Sequence, residues 1–164
     1  MNYAAIKKTD IANGTGVRVS LFVSGCRRHC KGCFNSETWD FNFGTPFTDD
    51  TMQEILDALD HDYIEGFSLL GGEPFEPENR GEVLRILTVV RGKFPDKTIW
   101  CYTGNRYENM IKEAREIVEL LDVLVDGEFI EERKNLRLKF RGSENQRILD
   151  VKKSIESGHA VEIE

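Results

Sequence analysis

Apolar and polar positions change period repeatedly along this chain. Residues 1–8 predict a short amino-terminal strand, and Asn13-Gly14 marks a turn after it. Val17–Val23 is apolar except for Arg18 and Ser20 and predicts the first strand of a sheet. Asp50 is placed to cap a helix, with Gln53 three residues on as its box partner and Met52, Ile55, Leu56 and Leu59 along one face. A short apolar strand over 66–70 follows. The helical period then returns over 82–94, with Val83, Leu84, Ile86, Leu87, Val90 and Phe94 inward and Pro95 beyond the end. Thr98–Tyr102 predicts a third strand, 108–121 a helix through Ile111, Ala114, Ile117, Val118 and Leu121, and 123–125 a fourth strand. Residues 136–140 alternate like a strand or sheet edge, 148–151 offer another strand, and 160–163 are placed to close the sheet.

Strand and helix in alternation predict right-handed βαβ units, hence an α/β fold with a mainly parallel sheet. Four loops of unusual composition each follow a predicted strand: 26–33, 71–74, 103–105 and 126–128. The carboxyl ends of parallel strands form the ligand edge, so these loops are expected on one rim. No internal repeat, low-complexity tract or linker divides the chain, and its 164 residues fit one domain, 1–164.

Composition adds boundaries to this picture. A hydrophobic content of 40% is ordinary for a globular protein. No apolar stretch approaches the ~20 residues of a membrane span. The first ten residues lack an apolar segment of the export type. Free cysteines in that setting imply a reducing compartment, so a cytoplasmic location is expected, with no membrane partner. A net charge of −7 argues against a broad nucleic-acid footprint. Arg27, Arg28 and Lys31 form one local basic group, and Arg133, Lys134, Arg137, Lys139 and Arg141 form another. The second group reads either as a solvated face or as a docking surface for an acidic partner.

Candidate chemistry centres on Cys26-Arg27-Arg28-His29-Cys30-Lys31-Gly32-Cys33. Thiolates are soft ligands, so clustered cysteines in a short loop point to zinc or iron–sulfur chemistry. Structural zinc normally takes four protein ligands, whereas the local count here is three cysteines. His29 stands between two of them and is poorly placed to turn to the same metal. The same spacing would also align small residues on a core helix, but Gly25, Gly32 and the three cations make poor helix interior. Cys101 lies in an apolar run and reads as core.

The C-x3-C-x2-C spacing resembles the radical S-adenosylmethionine (radical SAM) enzymes. Phe34-Asn35-Ser36-Glu37-Thr38-Trp39 is similar to the Asn-x-x-Thr-Trp of glycyl-radical-enzyme activases, and Gly71-Gly72-Glu73-Pro74 reads as the GGEP motif. Arg141-Gly142-Ser143-Glu144-Asn145-Gln146-Arg147 resembles one subgroup, the activating proteins of anaerobic (class III) ribonucleoside-triphosphate reductase. The resemblance implies an incomplete (β/α) barrel, open on one side. It implies a [4Fe-4S] cluster on Cys26, Cys30 and Cys33, with S-adenosyl-L-methionine chelating the fourth iron. Reductive cleavage of that cofactor would yield a 5′-deoxyadenosyl radical that takes hydrogen from a glycine Cα of the large reductase subunit. A low-potential donor such as flavodoxin is implied as well.

Within that resemblance, Gly71, Gly72, Glu73 and Pro74 would hold the methionine amino group through backbone contacts. Gly32 and Phe34 would lie near the adenine, although many relatives carry an aromatic residue where Gly32 stands. Asn35 matches a cofactor-contacting Asn. Thr103 and Asp126 fall where related activases contact the cofactor or a cation, while Tyr102 and Glu128 depart from the pyruvate formate-lyase activase pattern. No side chain is required as an acid or base. Other targets, pyruvate formate-lyase or a small molecule, remain open. So does a different class, a non-catalytic zinc or iron–sulfur module that regulates a partner.

Overall fold

The computed structural model describes residues 1–163. Among them seven strands form one sheet: β1 (Asn2–Asp10), β2 (Val17–Val23), β3 (Thr45–Pro46), β4 (Ile64–Gly71), β5 (Thr98–Tyr102), β6 (Val123–Asp126) and β7 (Arg147–Asp150). Their order is β3-β1-β2-β4-β5-β6-β7. The central pairs β2–β4, β4–β5 and β5–β6 are parallel, but β1–β2, β1–β3 and β6–β7 are antiparallel. The sheet is therefore mixed, not mainly parallel, and it is open. Connection length explains the correction. The 11–16 turn is too short for a crossover, and no helix longer than a single 3-10 turn links β6 to β7, so both outer strands return antiparallel.

Among the described residues five α-helices, with two short 3-10 turns, complete the fold: α1 (Asp49–Leu59), α2 (Pro77–Lys93), α3 (Tyr107–Glu113), α4 (Arg115–Val118) and α5 (Val151–Ser157). Alternate strand residues (Val19, Leu21 and Val23; Phe67 and Leu69; Ile99 and Cys101; Leu124; Leu149) join one core with Met52, Ile55, Leu56 and Leu59 of α1 and Val83, Ile86, Leu87 and Val90 of α2. All five α-helices pack through that core, so one face of the sheet is covered by α-helices and the other by loops. The loop-covered face carries Arg18, fully buried, which donates to Ser68 Oγ at 2.8 Å, Thr98 Oγ1 at 2.9 Å and three carbonyls. Burial lowers this guanidinium to about 10. The polar interruption of β2 is thus an internal tie.

Several boundaries differ from the periodic reading. Thr48, not Asp50, caps α1: Thr51 N donates to Thr48 Oγ1 while Thr48 N donates to Thr51 Oγ1. Helix α2 starts at Pro77, whose missing N–H costs nothing at the first helical position, so it opens five residues before its apolar period does. The helix expected over 108–121 breaks at Ala114, which leaves helical geometry at φ −143°. Residues 136–140 form no strand but a set of turns, with Phe140 at φ +65°. Residues 160–163 pair with β7 at a single bridge, Leu149 to Glu162. Strand β3 and helix α5 are too short for the pattern to mark. The domain expected over 1–164 is described to Ile163; Glu164 lies outside the described residues. No helix among the described residues is long and apolar enough to cross a membrane.

Candidate functional site

The loops after β2, β4, β5 and β6 meet at one rim, as expected of parallel strands. They interlock by backbone hydrogen bonds: Gly72 N to Val23 O (2.8 Å), Glu73 N to Gly25 O (2.8 Å), Thr103 N to Val125 O (2.9 Å) and Gly127 N to Asn105 O (3.1 Å). Below them lies a cavity of about 480 Å³, in the range of small-molecule sites. Cys26, Cys30, Cys33, Phe34, Asn35, Gly71, Gly72, Glu73 and Thr103 all line it.

The three cysteines are free and half-buried. Burial raises the Cys26 thiol, and burial first, then the Glu128 and Cys33 charges, pushes Cys30 up to about 11. Such thiols stay protonated until a metal displaces the proton. Asn35 N donates to Cys33 Sγ at 3.4 Å, an amide contact of the kind that tunes a ligating sulfur. Cys101 is fully buried in β5, on the helix side of the sheet. The His29 ring stacks on Trp39 at 4.4 Å.

The geometry bears on which metal group these thiols fit. Among the described residues no three His, Cys, Asp or Glu side chains stand close enough to hold a single ion. Tetrahedral zinc would gather its ligands around one centre. A cubane presents a separate iron to each thiolate, so its ligands stay apart while facing one space. Three free thiols that line one cavity, with no fourth thiol beside them, match the soft ligand set of a cubane with one iron left over.

The Gly71-Gly72 turn brings backbone to the cavity edge. Gly71 sits at φ +109°, and a Cβ there would meet Val23 N and O at 2.5 Å; one at Gly72 would meet Gly25 O at 2.7 Å and Thr38 O at 2.8 Å. Glu73 is buried and binds backbone and side chain alike, accepting from Phe75 N (3.0 Å), Gly104 N (2.8 Å) and Thr103 Oγ1 (2.8 Å). Burial raises its carboxyl while these donors pull it back. Thr103 in turn accepts from Asn105 N at 3.0 Å. Gly32, at φ +74°, lies on the exposed side of the cysteine loop against Glu131 and does not line the cavity. Pro74 is buried behind the rim. Asp126 is buried too, accepting from Tyr107 N (2.8 Å) and from Arg147 Nε (2.9 Å), and neither reaches the cavity wall. Phe34 packs on Phe129 at 5.1 Å at the mouth.

One contributor had no sequence signal, and the basic group of the cysteine loop has a role its composition did not reveal. Asn79, in the first turn of α2, donates to Ser24 O and Glu73 O, both at 3.1 Å, and so ties the cysteine loop to the glycine turn. Arg28 donates to Asn105 Oδ1 at 2.7 Å and pairs with Glu128 at 3.4 Å, spanning the rim. Arg27 pairs with Glu76 and Glu78 and lies 4.7 Å from the Phe41 ring. The local basic group therefore clasps the loop to its neighbours. The 141–147 segment, by contrast, was marked in the sequence, and its role is now visible. Arg141 donates to Gln146 O (2.6 Å), Gln146 Oε1 accepts from Gly142 N (2.8 Å), Gln146 Nε2 donates to Gly127 O (3.1 Å), and Asn145 donates to Glu128 O (2.7 Å). Those bonds shape the 127–129 loop.

Comparison with known proteins gives the family. A family described as a 4Fe-4S single cluster domain matches residues 12–149. An anaerobic ribonucleoside-triphosphate reductase-activating protein of Enterobacteria phage T4 is 43% identical over 150 residues, covering 90% of this chain and 93% of that protein. Proteins of the same name from Escherichia coli K12 and Haemophilus influenzae are 40% and 41% identical over 148 residues, 89% of this chain and 96% of theirs. The chain belongs to the family of anaerobic ribonucleoside-triphosphate reductase-activating proteins, built on a 4Fe-4S single cluster domain.

Proposed function

We propose that this chain is a radical SAM activase that places a glycyl radical on an anaerobic ribonucleoside-triphosphate reductase. The open sheet is then the incomplete-barrel form of that superfamily, and the whole chain works as one domain. Cys26, Cys30 and Cys33 hold a [4Fe-4S] cluster, leaving one iron for the amino and carboxylate groups of S-adenosyl-L-methionine. When bound, the two cofactors supply one-electron reductive cleavage of a carbon–sulfur bond, which drives hydrogen removal from a glycine Cα of the partner.

The residues of this chain do the holding. Gly71 and Gly72 keep the rim backbone free of side chains, so a ligand amino group can approach carbonyl oxygens. Glu73 fixes that backbone and is too fully engaged to meet the ligand itself. Asn35 and Phe34 border the same space, and Phe22, Leu70 and Val125 give it an apolar floor that limits water. Thr103 orients Glu73, and Asp126 acts through Arg147 rather than on a cofactor. Electrons come from a low-potential donor of the flavodoxin type. The large reductase subunit is the substrate.

One observation carries this reading: three unpaired thiols and the Gly71-Gly72 turn line one cavity, in a chain about 40% identical to named activating proteins. The test is anaerobic reconstitution with iron and sulfide, then incubation with dithionite and S-adenosyl-L-methionine. Methionine and 5′-deoxyadenosine in equal amounts are expected; their absence from a cluster-loaded protein would refute the activity.

A further inference from the structure

Residues 133–141 contain Arg133, Lys134, Arg137, Lys139 and Arg141 and no acidic side chain, in a chain of net charge −7. The segment is well held. Lys134 bridges Ser143, Asn135 N donates to Gly142 O at 3.2 Å, and Glu144 N donates to Arg133 O at 3.0 Å, closing the two legs on each other. At the tip Arg137 N donates to Asn135 Oδ1 at 2.9 Å, and Phe140 turns inward, edge-on to Trp100 at 5.3 Å.

What the segment turns outward is a cluster of cations with no acidic side chain among them. Lys8, Arg27, Arg28, Lys31, Arg80, Arg85, Arg91, Arg106, Arg115 and Arg147 each lie within ion-pair distance of a carboxylate. Among the described residues, Arg133, Lys134, Arg137 and Lys139 have no such partner and are exposed; exposed Lys7, Lys93, Lys112, Lys152 and Lys153 lack one too, but they stand singly or as one adjacent pair, whereas these four fall within one short loop. Between them Leu136 is 83% exposed, the most exposed large apolar side chain described, and Phe34 beside Lys134 is 58% exposed. A merely solvated face would interleave charges of both signs, whereas 133–141 carries one sign alone. Unpaired cations fixed around an apolar pair have the composition of half an interface. Leu136, Leu138, Phe140 and Arg141 also line the cavity, so this surface runs directly into the site.

We infer that the 133–141 loop is the docking surface for the protein substrate, and that it takes an acidic segment of the reductase with an apolar side chain seated on Leu136 and Phe34. The inference rests on the activase reading and adds where the partner lands. Charge steers the encounter and sets orientation, while the apolar contact fixes the register of the segment that enters the cavity.

The test uses the cluster-loaded protein, the anaerobic reductase and the triple variant Arg133→Glu/Arg137→Glu/Lys139→Glu. None of these three residues lines the cavity, so partner-free cleavage of S-adenosyl-L-methionine by dithionite should stay at the wild-type rate. Reductase affinity should fall by about tenfold or more, and its salt dependence should flatten. A charge-neutral Gln triple should fall between the two. A charge-reversed variant that binds and activates the reductase like the wild type would overturn the inference. So would a salt-dependent self-association lost in the variant while reductase affinity holds, since the surface would then serve a second copy. Failure of the wild type itself to cleave the cofactor would instead strike the activase reading.

Discussion

Thr103 Oγ1 donates to Glu73 Oε2 at 2.8 Å, joining the turn after β4 to the turn after β5 inside the protein. Glu73 takes two more donors, so an acidic residue in a cofactor-binding motif here acts as a brace. Replacing it with Gln sets an amide donor against another N–H. Glu73→Gln is expected to lose about 1–3 kcal/mol of apoprotein stability, the usual cost of an unsatisfied buried polar group. Urea unfolding at neutral pH checks this, and an unchanged midpoint would remove Glu73 from the structural role.

Gly72 separates holding a cofactor from holding a cluster. Its Cβ would meet two backbone carbonyls, which no side-chain rotation relieves. Gly72→Ala is expected to keep its iron and visible spectrum while weakening S-adenosyl-L-methionine binding by about tenfold or more, through the shifted rim backbone. Equilibrium dialysis with the cofactor reads the loss.

The four cysteines should divide cleanly. Cys30→Ala is expected to lose the cluster, seen as loss of iron and of broad visible absorbance after reconstitution. Cys101→Ala should retain the cluster, because that thiol is packed within the helix-side core, and should cost about 1 kcal/mol as a small cavity. Loss of the cluster in Cys101→Ala would contradict the assignment of three ligands.

The acid limb of stability reports on the far side of the rim. Arg147 donates to Glu108 and Asp126 together, and its hydrogen bond holds the Glu108 carboxyl down at about 2, against an ordinary 4.5. A depressed carboxyl contributes fully above 4.5 and loses that contribution as pH falls toward about 2. Glu108 is half-exposed, so the tie is worth about 1 kcal/mol or less. Glu108→Gln apoprotein should melt below the wild type at pH 6, with the gap closing near the bottom of that range.

The parallel centre of the fold and its rim were legible in the sequence because apolar strands ended at odd loops: Val17–Val23 ran into the cysteines, and the strand at Leu70 ran into Gly71-Gly72. The antiparallel flanks were not legible, since strand direction depends on what connects two strands and apolar pattern carries no direction. Residues 136–140 alternated like a strand, yet Phe140 turned in upon Trp100 and the hydrogen bonds went to turns. Within the site, residue types with intrinsic chemistry were readable. Asn79 was not, because an amide that ties loops together looks like any surface residue until those loops converge, and Arg28 stood out only as one of a basic group beside the cysteines, not as the tie to Asn105 that it makes.

The most direct measurement is electron paramagnetic resonance on an anaerobic mixture of this protein, cluster-loaded, with the reductase, S-adenosyl-L-methionine and a low-potential reductant. A glycine-centred doublet on the reductase is expected, absent when Cys26, Cys30 or Cys33 is replaced. A reductase that stays silent while the cluster and cofactor turn over would contradict the assignment of its target, and a doublet that survives loss of Cys30 would contradict the three-thiol site itself.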